Sequence, residues 1–197
     1  NVGSAVRYFT VDATADDTTP PSLSIIYPDN NSFVGATDFF INISSGESLS
    51  NARYSLDGAA NVSMDNSSVL DWYARLTGLS EGKHTVKYWA DDLAGNTGTL
   101  YHEFSVDVSG PKYSSVDVSP NPAEFGEESV KCSAFWEDSL NDINSLIVGE
   151  NASGTFENHS VSVSGSSGWS NYTIASTSLD VNGYSCRFFA TDSVGNS

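Results

Sequence analysis

The residues able to do chemistry are few, and their spacing argues against catalysis. There are three histidines (His84, His102, His159), two cysteines (Cys132, Cys186), carboxylate pairs at Asp16-Asp17 and Asp91-Asp92, and a serine-rich turn, Gly165-Ser-Ser-Gly168. A nucleophilic serine on a strand-to-helix elbow needs G-x-S-x-G, which the sequence lacks. Zinc needs three or four His, Cys or carboxylate ligands at a recognisable spacing. Two cysteines with no neighbouring histidine do not meet that need. Neither do His84 and His102, two polar residues on strands expected to pair near a sandwich end. A carboxylate pair doing acid–base work needs a pocket that raises one of its pKa values, and both pairs fall in turns. The sequence therefore predicts no catalytic residue, no enzyme, no metal site and no cofactor.

What remains is modification chemistry. Seven N-x-S/T sequons occur, at Asn30, Asn42, Asn61, Asn66, Asn151, Asn158 and Asn171. About four would arise by chance, so covalent N-glycans and an extracellular, cell-surface location are expected. Eight Lys+Arg stand against 25 Asp+Glu, a net charge of −17. That excludes nucleic acid as a partner, since phosphates need a basic face, and argues against anionic membrane surfaces. No signal peptide and no apolar run of ~20 residues is present in the sequence, so no direct membrane insertion is expected.

The elements that position these residues follow from a repeat. Asp92-Leu-Ala-Gly95-Asn96 returns as Asp192-Ser-Val-Gly195-Asn196, a hundred positions later. Asn1-Val-Gly3-Ser4 and Phe9-Thr-Val11-Asp12 match Asn96-Thr-Gly98-Thr99 and Phe104-Ser-Val106-Asp107. The 197 residues therefore read as two periods of one repeat. Val, Ile, Tyr, Phe and Thr alternate in short runs between Ser, Gly, Asn and Asp, with no sustained 3.6-residue period. The fold class is all-β: two tandem immunoglobulin-like β-sandwiches plus an N-terminal strand that completes another sandwich.

Residues 1–14 form that donor or orphan strand, with Ala5, Phe9 and Val11 on one face. Residues 15–21 are a linker stiffened by Pro20-Pro21. The first sandwich takes residues 22–108, with strands at Ser22–Tyr27, Phe39–Ile43, Ala52–Leu56, Leu70–Leu76, His84–Ala90 and Leu100–Val106. The second takes residues 111–197, with counterparts at Val116–Pro120, Val130–Ala134, Leu146–Val148, Tyr172–Ile174 and Tyr184–Ala190, and lacks the last strand. Asn42 is expected to face outward. So are Trp89 and Phe189, at equivalent positions where a sugar or a partner could stack.

Aligning the repeats puts Cys132 where the first sandwich has Ile41, and Cys186 where it has Val86. Those positions meet across the two sheets, so a disulfide is expected there. It would close a loop of over 50 residues, worth about 4 kcal/mol in the chain-entropy account.

Asp180-Val-Asn-Gly-Tyr184-Ser-Cys186 resembles the D-x-G-x-Y-x-C signature of immunoglobulin domains, departing from it at Asn182; the third strand carries Leu146 where those domains have Trp. The D-x-x-G-N turns, Tyr54-Ser-Leu-Asp-Gly58, Gly82-Lys-His-Thr-Val86 and Asp17-Thr-Thr-Pro-Pro21 resemble the tandem immunoglobulin-like repeats of prokaryotic, especially archaeal, surface proteins and adhesins. That resemblance covers nearly the whole chain. It implies a stalk, filament, pilus or layer component, or an accessory module beside an enzyme. It also implies that structural calcium, where present, sits on linker and turn carboxylates, for which Asp12, Asp16, Asp17 and Asp92 qualify.

The missing and spare strands fit one another. Residues 1–14 carry Ala5, Phe9 and Val11 where the first sandwich uses Leu100, Phe104 and Val106. With sandwiches end to end, the eight-residue link after the strand reaches at most ~28 Å, short of a groove ~40 Å away. The strand is expected to fill another molecule's groove, giving copies joined head to tail by donor-strand complementation. The alternative is an adhesin or glycan-binding module of a larger surface protein, using Trp89 and Phe189.

Overall fold

Short alternating runs bounded by turn residues give strands throughout, in chain order Leu23–Tyr27 (β1), Ser32–Val34 (β2), Phe39–Ser45 (β3), Leu49–Leu56 (β4), Val62–Ser63 (β5), Asp65–Asn66 (β6), Asp71–Leu76 (β7), Gly82–Asp92 (β8), Thr97–Val106 (β9), Lys112–Ser119 (β10), Val130–Glu137 (β11), Ile143–Glu150 (β12), Glu157–Val161 (β13), Ser167–Ile174 (β14) and Cys186–Asp192 (β15). A single 3-10 turn, Ser176–Ser178, is the exception among the described residues. The computed structural model describes Arg7 and residues 17–124, 126–179 and 183–197. The proposed donor residues Ala5, Phe9 and Val11 lie outside them, as do Asp12, Asp16, Asp180 and Asn182.

Strand order is β1-β3-β7-β6 and β2-β9-β8-β4-β5, then β10-β11-β14 and β13-β12-β15. The first pair of sheets has the immunoglobulin order, A-B-E-D against A′-G-F-C-C′. The second pair repeats it as A-B-E against C′-C-F. The molecule is all-β, as the composition implies.

The chain divides into two compact units. One takes the described part of Asn1–Asn30 with Phe40–Arg75 and Thr85–His102. Here β1 runs antiparallel to β3, with Ile25 opposite Ile43, and β4 runs antiparallel to β8, with Tyr54 opposite Tyr88. Period-two alternation points Ile41, Ile43, Ala52, Tyr54, Val86, Tyr88 and Ala90 inward, and all are buried. The Asp57-Gly58 turn has positive φ at both residues, the two-residue hairpin geometry that Asp-Gly favours.

The other unit takes Asn31–Phe39, Leu76–His84 and Glu103–Ser197. β2 runs parallel to β9, with Phe33 opposite Ser105. β11 lies between β10 and β14, and β12 between β13 and β15. One core cluster gathers Val130, Cys132, Val148, Ile174 and Leu179; another gathers Ala134, Trp136, Ile143, Leu146 and Ala190. Trp136 donates from its indole N–H to Ser170 Oγ at 3.0 Å, so its polar tip is satisfied inside the core.

Several sequence boundaries shift. β10 starts four residues before Val116, and Tyr184 precedes β15 instead of opening it. β2, β5, β6 and β13 have no sequence counterpart, because they are two or three residues long or, as in Glu157-Asn-His-Ser-Val161, almost wholly polar.

Candidate functional site: turns, linkers and an open edge

The two D-x-x-G-N turns have one geometry. Asp92 Oδ1 accepts hydrogen bonds from the Ala94 and Asn96 amides at 2.8 and 2.9 Å. Asp192 Oδ1 accepts from the Val194, Gly195 and Asn196 amides at 2.9, 2.7 and 2.9 Å. Each aspartate thus satisfies turn amides that no strand partner reaches. Gly95 and Gly195 have φ of 92° and 94°, a region that favours glycine, which explains the invariant fourth letter of the motif in both copies.

The motif's last letter fastens a linker. Asn96 Nδ2 donates to Asp92 Oδ2 at 2.8 Å and to the Asp17 carbonyl at 2.9 Å. Asn196 Nδ2 donates to Asp192 Oδ2 at 2.8 Å and to the Asp107 carbonyl at 3.0 Å. Asp17 and Asp107 each stand four residues before a proline, Pro21 or Pro111. The repeated turn therefore holds the chain that leads into the opening strand of its own repeat. A side chain at Gly98 would collide with the Pro21 carbonyl, so the glycine after the turn is required by that close approach.

The same ends gather acid. Asp17, Glu47 and Asp92 form one group, and Asp107, Asp138 and Asp192 another. Burial pushes the Asp92 carboxyl up, but the hydrogen bonds from Asn96, Ala94 and Gly95 outweigh it and hold it below its ordinary value. Burial and the Asp138 and Asp192 carboxylates push Asp107 above its ordinary value. Of the expected linker and turn acids, Asp17 and Asp92 come together. Glu47 and Asp138 were missed, although each stands six positions after an aligned core residue, Ile41 or Cys132.

The Asp92 geometry makes a prediction. Asp92→Ala strands turn amides and is expected to lower the melting temperature by about 10 °C. Because the folded carboxyl is held below its ordinary value, its contribution is full above the unfolded Asp pKa of ~3.9 and is lost as pH falls through the folded value. Calorimetry from neutral to acid pH should show the gap between wild type and variant narrowing below about pH 4.

The second feature is an edge. β8 has neighbours on both sides, β9 and β4, whereas among the described residues β15 pairs only with β12. The consequence appears in burial. Val86 and Tyr88 on β8 are fully buried, while their counterparts Cys186 and Phe188 on β15 are half-buried. On β9, the second neighbour that β8 has and that β15 lacks among the described residues, Phe104 and Val106 are buried, and so is His102.

The remaining sequence candidates are accounted for. Cys132 and Cys186 form a disulfide with Cα atoms 6.2 Å apart, joining β11 to β15 across the two sheets. His84 bonds the Ser80 carbonyl through Nε2 at 2.9 Å. His102 Nδ1 bonds the Tyr88 hydroxyl at 3.2 Å, and burial pushes the imidazole below its ordinary pKa. His159 stacks on Tyr172 and meets Glu150 Oε1 at 3.2 Å. Asn30, Asn61, Asn66, Asn158 and Asn171 are exposed; Asn42 and Asn151 are half-buried, so Asn42 does not face freely outward. Phe189 is exposed, but Trp89 is half-buried beneath Lys87, whose Nζ lies 4.7 Å from its ring and 5.1 Å from that of Tyr101.

No family model matches the chain, and no curated protein matches it. Among solved structures it is similar to the fibronectin(III)-like modules of Clostridium thermocellum CbhA, with 16% identity, a TM-score of 0.47, and coverage of 89% of this chain and 88% of that one. It is similar to a 1.5-MDa bacterial ice-binding adhesin, with 16% identity, a TM-score of 0.49, and coverage of 91% and 62%. It is also similar to a tetra-tandem repeat in the extending region of a large adhesion protein, with 16% identity, a TM-score of 0.39, and coverage of 90% and 46%. The chain spans only 20% of the length of an engineered protein that matches 44% of it.

Proposed function

We propose that this chain is a non-enzymatic, extracytoplasmic structural protein that assembles head to tail into a surface filament, stalk or layer. Each copy adds residues 1–14 as a strand beside β15 of the next. The observation that carries the reading is that, among the described residues, β15 pairs on one side only, with Cys186 and Phe188 half-buried where Val86 and Tyr88 are sealed. An unpaired edge with apolar side chains beside it is a template for another strand. The match of Ala5, Phe9 and Val11 to Leu100, Phe104 and Val106 supplies a strand of the right pattern.

The disulfide supports an oxidising compartment, and the exposed sequons support surface glycosylation. The contact between donor and acceptor is heterologous, so it propagates instead of closing. Sedimentation of the purified chain across a concentration series is expected to give a ladder of oligomers without an upper size, resolved as filaments by electron microscopy. A single monomeric species at every concentration would contradict the reading.

A further inference from the structure

Three of the seven sequons share a spacing. Phe40 stands two residues before Asn42 and Ser44 two after it; Phe156, Asn158 and Ser160 repeat the pattern, and so do Trp169, Asn171 and Thr173. At 12% aromatic content, about one of the seven would carry a ring there by chance. On a strand, intervals of two place ring, amide and hydroxyl on one face. Burial shows that the face is the outer one. On β3, Ile41 and Ile43 are sealed while Phe40 is 48% exposed; on β14, Ser170 and Ile174 are buried while Trp169 is 46% exposed. Each of these rings has an aromatic neighbour: Tyr73 lies 5.8 Å from Phe40 and Phe135 lies 5.3 Å from Trp169, between ring centres. At Phe156 the Arg187 guanidinium lies 3.6 Å from the ring centre and covers that face.

Around Asn42 the outer face forms a groove of about 340 Å³, lined also by Ile26, Phe40, Asp71 and Tyr73, the small end of small-molecule sites. Asn42 Oδ1 is buried and accepts no hydrogen bond among the described residues. An open apolar face beside an acceptor without a donor suits an occupant with both C–H and O–H groups, the make-up of a sugar. We propose that Asn42 and Asn171 carry N-glycans whose first sugar lies against the ring two residues before, as a fixed part of each sandwich's outer face. Residues two apart on a strand are ~6.7 Å apart, within reach of the first sugar. Attachment joins Nδ2 to the anomeric carbon of a lipid-phosphate-linked sugar. The bond from that carbon to the phosphate oxygen breaks, the lipid phosphate leaves, and the amide gives up one proton. β3 is paired on both sides, by β1 and β7, and Ser44 Oγ donates to Asp71 Oδ1 at 2.7 Å, so attachment at Asn42 precedes sheet formation. The proposal rests on the chain being a glycosylated extracytoplasmic protein, and not on how the β15 edge is filled.

The test compares the full chain secreted by cells that glycosylate N-x-S/T sequons with the same chain made free of sugar. Glycopeptide mass spectrometry is expected to find sugar at Asn42 and Asn171. Asn42→Gln is expected to lower the melting temperature of the glycosylated chain by about 4 °C, and Asn171→Gln by a similar amount. Asn66→Gln, with Met64 where the ring would stand, should lower it by less than ~1 °C. The Asn42→Gln shift should vanish in the sugar-free chain and in a Phe40→Ala background, because ring and sugar act as a pair. Sugar at other sequons with Asn42 and Asn171 bare overturns this proposal alone. All seven bare overturns the glycosylated-surface reading with it. A shift that persists without sugar, or is as large beside Phe40→Ala, overturns the contact between ring and sugar. Should Phe40→Ala fail to fold, the glycosylated and sugar-free chains decide between them.

Discussion

Replacing both Cys132 and Cys186 with alanine is expected to destabilise the unit that holds them by about 4 kcal/mol, a drop of roughly 20 °C in its melting transition. The two cysteines are 54 positions apart, so the bond removes a large share of the unfolded chain's freedom. The place matters as much as the loop. In the first repeat, Ile41 and Val86 hold the equivalent strands together by burial alone, both at 0% exposure. In the second, Cys132 is as deeply buried, within the cluster of Val130, Val148, Ile174 and Leu179, but Cys186 is half-buried on a strand with one neighbour among the described residues. A covalent tie there secures β15 to the opposite sheet. Calorimetry with and without reductant checks this. Only the transition of the unit containing β11 and β15 should move, and a shift under about 5 °C would mean that packing alone holds the strand.

Deleting residues 1–14 is expected to abolish open-ended assembly and leave the truncated chain monomeric or trapped in small aggregates. In the proposed joint β15 would offer the backbone groups on its side away from β12 beside the half-buried Cys186 and Phe188. The segment contributes Ala5, Phe9 and Val11 at the spacing that β9 uses for Leu100, Phe104 and Val106. Burying one such side chain contributes ~1.5–3 kcal/mol, so Phe9→Asp combined with Val11→Asp should weaken assembly at least 100-fold. Electron microscopy of the variants beside wild type reads this directly.

How far the sequence leads can be judged residue by residue. Period-two alternation at Phe39–Ile43 and His84–Ala90 was enough to place β3 and β8, because both strands bury one face. The repeat was enough to pair Cys132 with Cys186, since Ile41 and Val86 mark the same inward positions. The short edge strands carried no signal, because two residues cannot show a period and β13 is polar. The acidic groups were half visible. Asp17 and Asp92 were legible as linker and turn residues, but Glu47 and Asp138 sit in loops whose sequence says nothing of what they approach. His102 was read as a polar residue near a sandwich end, yet it lies at 1% exposure, paired with Tyr88. Arg7 stands at the matching place in the N-terminal segment, so the two sequences do not match at every alternate position.

The most direct measurement adds a synthetic peptide of residues 1–14 to the chain that lacks them and follows amide hydrogen exchange along β15. One peptide is expected to bind per chain and to slow exchange at the Phe188 and Ala190 amides, which share the direction of the Asp192 N–H away from β12, and a peptide carrying Phe9→Asp and Val11→Asp is expected not to bind. A peptide that leaves β15 exchange unchanged at saturating concentration, or protection of β15 already complete in the truncated monomer, would contradict it.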